Sequence, residues 1–130
     1  MKINITDGGR SQYFKNAQVG DGVTRALALA RNLDYMEAYN AVKKAYGKTP
    51  RNGVSKKATH KVMEQYGGKW HAVMKIGTGC KVHMRENELP HGTIVCLLSG
   101  HVACVKNGVL FDNHDCSRGG TRCVYGYWTF

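Results

Sequence analysis

Scarcity narrows this sequence before any motif does. Only 2 prolines stand against 16 glycines, so the chain is neither a proline-rich spacer nor a collagen-like repeat, and its glycines read as turn formers in an ordered fold. No apolar run approaches the roughly 20 residues that a membrane-spanning helix needs. Met1-Lys2-Ile3-Asn4-Ile5-Thr6-Asp7 lacks the hydrophobic core of a secretory signal and reads as a native start, so a cytoplasmic location and no membrane partner are expected. Acidic side chains are few as well: 9 Asp and Glu face 19 Lys and Arg, for a formal charge of +10. Such a surplus suits nucleic acid, an anionic polymer or an acidic protein partner. The lysines are spread over helix faces and not gathered in one run, so solubility accounts for them too. Cysteine comes in an odd number, 5, and Cys96 and Cys104 sit inside apolar strands, which argues for reduced thiols over a disulfide framework.

What is present suffices for one domain. With 130 residues, 42% of them apolar, residues 1–130 can bury a core without dividing. Residues 1–19 read as irregular, with Asp7-Gly8-Gly9 as a turn. Val23, Ala26, Leu27 and Ala30 then form an apolar stripe at helical spacing, and the small alanines let this helix lie close to a sheet. Asp21 is placed to cap it, and its first turn favours negative charge near position 22. A second helix is predicted from Asp34 to the stop at Gly47, with Tyr35, Ala38, Tyr39, Val42 and Tyr46 as its buried stripe. A third runs from about Ser55 to Tyr66, with Lys56, Lys57, His60 and Lys61 on its wet face. Beyond Gly68 the period becomes that of strands: 69–76, a short edge strand over 81–84, a central strand over 93–98 and a last strand over 122–130. Lys106-Asn107-Gly108 between two apolar runs is a hairpin signal that sets residues near 101 opposite residues near 112 to 114. No repeat is visible, and helices followed by strands predict an α+β fold with an antiparallel C-terminal sheet.

The stretch "GDGVTRALALARNLDYMEAYNAV" resembles the "GDC-V-x-R-A" opening of small phage and bacterial proteins related to papain-like cysteine hydrolases, with Gly22 where those proteins carry cysteine. "TPRNGV" from Thr49, "IGTGCKVHM" from Ile76, "ELPHGTIVCLLSGHVACVKNGVLFDNHD" from Glu88 and "CSRGGTRCVYGYW" from Cys116 are similar to the same group, so the likeness covers nearly the whole chain. It implies a papain-like fold and a cysteine peptidase, amidase or deamidase acting on an amide or isopeptide bond of a protein or peptide, with no cofactor. It also implies a site: position 22 for the nucleophile, His101 as its base, and Asp112 or the adjacent Asn113 to orient the imidazole. Asn16 or Gln18, just upstream, would help to hold the oxyanion.

Gly22 leaves that site without an attacking group, and losing a triad nucleophile removes about 10⁶ in rate in a measured protease series. Thr24 points about 200° away around the helix and is no substitute. The chain as encoded is therefore expected to be inactive, either a pseudoenzyme that keeps its cleft for binding or an enzyme whose nucleophile has been replaced. A non-catalytic module binding protein or nucleic acid is the alternative. Cys80-x-x-His83 with Cys116 and Cys123 offers four soft ligands, but the spacing fits no tight zinc knuckle and no metal is expected. His114 and Asp115 read as turn residues.

Overall fold

The computed structural model describes residues 1–16 and 20–130. The elements among them are β1 (Lys2–Ile5), α1 (Gly22–Arg31), α2 (Tyr35–Tyr46), α3 (Lys56–Gln65), β2 (Lys69–Ala72), β3 (Thr93–Leu98), β4 (His101–Lys106), β5 (Val109–Asp112) and β6 (Gly126–Thr129). The class is α+β, with one sheet in the order β1-β5-β4-β3-β6-β2. The helices follow local chemistry. The Asp34 carboxylate accepts the Met36 amide at the start of α2, Ser55 Oγ accepts the Ala58 amide at the start of α3, and Gly47 takes a left-handed φ of 78° to end α2. Asn107 and Gly108 both take positive φ, 50° and 79°, so the β4–β5 hairpin closes through the tight turn its sequence signals.

Two expectations about the sheet are corrected. It is mixed and not antiparallel throughout, because β1 pairs in parallel with β5 from Lys2↔Val109 to Ile5↔Asp112. Residues 2–5 read as irregular because this is a four-residue edge strand with three exposed positions, and its polar and apolar residues carry no buried face to reveal it. The 81–84 stretch is no strand. It holds only an isolated bridge, His83↔Cys123, within a long excursion between β2 and β3.

Side chains of the central strands alternate between two apolar clusters. Val95, Leu97, Val102 and Cys104 face the helices together with Leu27, Val42, Val62 and Trp128. Ile94, Cys96, Leu98, Ala103 and Val105 face the opposite side, where Met84, Leu89, Cys116 and Val124 cover them from loops. That is why 93–98 reads as a continuous apolar run: β3 lies between β4 and β6 and is buried on both faces. Gly126 has a different reason to be small. A Cβ there would fall 2.2 Å from the Trp70 ring.

The expectation of reduced thiols fails at one pair. Cys80 and Cys123 form a disulfide, while Cys96, Cys104 and Cys116 remain free and buried. The bridge His83↔Cys123 and the bond from the Val124 amide to the Val82 carbonyl bring the two chain segments together, a proximity that spacing in the sequence does not encode. No described helix is long and apolar enough to cross a membrane.

Candidate functional site

α1 starts at Gly22 beside the β3–β4 turn at Ser99-Gly100, and this juncture forms one wall of a cleft of about 630 Å³. Gly22, Val23, Leu97, Leu98, His101 and Val102 belong to its lining, as do Asn52 to Val54, Lys56 and Thr59, and Asn52 pairs with Gly20 in an isolated bridge. Amides of the first turn of α1 have no carbonyl four residues back within the helix, so the helix presents its positive end near position 22.

His101, the first residue of β4, keeps 16% of its side-chain surface exposed and places Nε2 2.7 Å from Asp112 Oδ2. Asp112, the last residue of β5, is 1% exposed. Its Oδ1 accepts from Arg25 Nε at 3.0 Å and from the Asn113 amide at 2.8 Å, and forms an ion pair with Arg25 Nη2 at 2.8 Å. Burial alone would raise the Asp112 pKa, but the hydrogen bond from His101 and the charges of Arg25 and His101 outweigh it and hold it at about 2. An ionised acceptor on Nε2 fixes the ring proton there and leaves the lone pair of the neutral imidazole on Nδ1. That nitrogen faces position 22: a Cβ on Gly22 would lie 3.2 Å from His101 Nδ1, Cε1 and the Val102 carbonyl alike. The imidazole therefore rests almost on the helix backbone, and a side chain at 22 would require it to give by a few tenths of an ångström.

Of the residues singled out from the sequence, the structure brings together Gly22, His101 and Asp112. Between the two candidates for orienting the imidazole, Asp112 makes the hydrogen bond, and Asn113 lines the cleft beside it. Asn16 is exposed and outside the cleft lining, its carbonyl accepting Arg10 Nε at 2.7 Å. Gln18 lies outside the described residues. His114, read as a turn residue, lines the cleft instead, its ring centroid 5.2 Å from that of His101. Asp21 does not cap α1 through its side chain. Arg25, one turn along, and the Tyr35 hydroxyl, which donates to Asp21 Oδ2 at 2.6 Å, claim both carboxylate oxygens.

Sequence reasoning missed the chain of buried charge that results. It runs from His101 through Asp112, Arg25 and Asp21 to Tyr35 and Arg10, whose Nη1 donates to the Tyr35 hydroxyl at 2.9 Å. Asp21 and Arg25 at i and i+4 were a visible signal. Arg10 and the Tyr35 hydroxyl carried none, since a tyrosine in a helical stripe reads as core.

Two donor sets come into question for a metal. His101, Asp112 and His114 offer ligand atoms within 4.8 Å of one another. Yet both Asp112 oxygens are already satisfied, and a cation would have to displace the His101 proton. The four soft ligands near the C-terminus are not assembled: Cys80 is joined to Cys123, His83 pairs with Glu88, and Cys116 is buried in the loop-covered cluster.

No protein-family model, curated protein or solved structure matches this chain.

Proposed function

We propose that this chain is a cysteine-hydrolase-type domain, papain-like by descent, that retains the base and its orienting acid but not the nucleophile. As encoded it binds a protein or peptide in the cleft without cleaving it. The observation that carries this reading is the geometry around position 22, where an imidazole held through Nε2 by a buried carboxylate turns Nδ1 to the first residue of a helix. A thiol at that point would be favoured as thiolate by the helix end and by His101 once protonated, and His101 would return the proton to the leaving amine of an amide. The buried charge chain supports the same reading, since orienting an imidazole needs a carboxylate that cannot rotate away.

Gly22→Cys tests it without a known substrate. The background is low: burial raises the thiol pKa of Cys96, and brings those of Cys104 and Cys116 to about 12. Near pH 6 the introduced thiol should react with iodoacetamide at least about tenfold faster than an unperturbed cysteine, whose pKa is about 8.5, and His101→Ala should remove that advantage. Equal labelling with and without His101 would show that the two positions are not a catalytic pair.

A further inference from the structure

Tyr35 carries a polar atom that its place in the core does not call for. It is 1% exposed in the buried stripe of α2, its ring edge-on to Phe14 and tilted against Tyr39, and a phenylalanine would serve that packing equally. The hydroxyl has other partners: it donates to Asp21 Oδ2 at 2.6 Å and accepts from Arg10 Nη1 at 2.9 Å. Burial and the Asp21 carboxylate push its pKa above the usual tyrosine range, so it stays a donor. Tyr35 does not line the cleft.

What the hydroxyl governs is how one cation is divided between two carboxylates. Arg25 gives Nη1 to Asp21 Oδ1 and donates Nε to Asp112 Oδ1 at 3.0 Å, with Nη2 2.8 Å from the same oxygen. Each carboxylate has a second oxygen. That of Asp112 holds His101 Nε2 at 2.7 Å, and that of Asp21 takes the Tyr35 hydroxyl, with Arg10 Nη1 beyond hydrogen-bond range at 3.9 Å. A buried carboxylate oxygen left without a donor is costly, so Asp21 deprived of the hydroxyl would draw on the guanidinium N–H groups that now serve Asp112. Asp112 would then be freer to turn, and the imidazole with it.

We infer that Tyr35 is a positioning residue for His101, acting through Asp21, Arg25 and Asp112 to keep the imidazole turned to position 22. The inference rests on the reading that His101 serves that position, and extends it to a side chain outside the cleft. Buried hydrogen-bond networks carry coupling of this kind, and paired deletions apportion it.

The test follows the proton on His101 Nε2 in the chain as encoded, by NMR measurement of its exchange with water. Tyr35→Phe keeps the packed ring and removes only the hydroxyl. Exchange should quicken at least about threefold, a fraction of the tenfold or more that losing a hydrogen bond to a charged group is worth outright. Asp21→Asn removes the competing charge, so it should not quicken exchange, and adding Tyr35→Phe to it should have no further effect. Val62→Ala, a cavity in the helix-side core apart from these contacts, should leave exchange unchanged. In the Gly22→Cys background, Tyr35→Phe should slow iodoacetamide labelling near pH 6 by a similar factor. A parent ring proton that exchanges as freely as a surface histidine's, no change in Tyr35→Phe, an equal change in Val62→Ala, or a change that persists beside Asp21→Asn would overturn the inference. Labelling that depends on His101 but not on Tyr35 would overturn it too and leave the hydrolase reading standing. Quickened exchange with labelling indifferent to His101 would keep the positioning role and remove the hydrolase reading.

Discussion

The two faces of the sheet are held by different physics. On the helix side, the seam between α1 and β5 contains ionised groups out of water: Arg25 bridges Asp21 and Asp112, and Asp112 holds His101. The opposite face is covered by loops, with an apolar cluster beneath them and the Cys80–Cys123 bond tying the covering segments together. A well-packed apolar seam would be at least as stable as the ionic one, because desolvating charges costs about as much as their attraction returns. Charges placed there nonetheless give direction, which apolar contacts do not. The loop face needs no direction, and a cross-link restricts its unfolded chain instead.

Removing Arg25 should separate the faces most sharply. Arg25→Ala removes the cation shared by Asp21 and Asp112 and leaves them only Arg10 at 3.9 Å and His101, and breaking a buried pair costs about 3–5 kcal/mol. Urea unfolding should register that loss. Arg25→Lys should recover only part of it, since one ammonium cannot reproduce the planar fork that reaches both carboxylates. A change below about 1 kcal/mol for Arg25→Ala would mean that the seam is not a coupled unit.

Next in size comes the staple. Cys80 and Cys123 are 43 residues apart, a loop for which chain entropy gives about 4 kcal/mol as an upper value. Cys80→Ser with Cys123→Ser should lower stability by about 2–4 kcal/mol and make it indifferent to reductant. Unchanged stability in the double variant would show that hydrogen bonds and apolar cover alone hold the loop face.

Acid should act on the helix side through Asp112, and more weakly. The Asp112 pKa is depressed in the fold from 3.8 to about 2, so its stabilisation is complete above pH 3.8 and is lost as pH falls from there through about 2. That gap corresponds to about 2 kcal/mol. Asp112→Asn should flatten this limb of the stability profile, whereas the double serine variant should keep it. An acid limb as steep in Asp112→Asn as in the parent would assign it to other carboxylates.

The same division separates what could be read from the sequence and what could not. The helix side was largely legible: the stripe from Val23 to Ala30, the stop at Gly47 and the cap at Ser55 are local signals. His101 and Asp112 were legible as neighbours because a two-residue turn at Asn107-Gly108 fixes their register. The loop side was not legible, since Met84, Leu89, Cys116 and Val124 sit in segments with no period, and nothing local says that Cys80 will meet Cys123. Gly22 facing His101 lies between these cases, expected from a resemblance and now described as a distance.

Sequence by itself determined the three helices and the central strands, because capping, turn chemistry and apolar period act over a few residues. It also determined that no nucleophile stands at position 22. Tertiary structure decided that Asp21 would bind Arg25 and Tyr35 in place of the helix amides, because a buried carboxylate is satisfied best by the nearest cations and hydroxyls. It decided as well that β1 would pair in parallel with β5 and that two distant cysteines would join. Each of these depends on groups far apart in the chain, whose meeting is set by how the layers pack and which buried polar atoms remain to be satisfied.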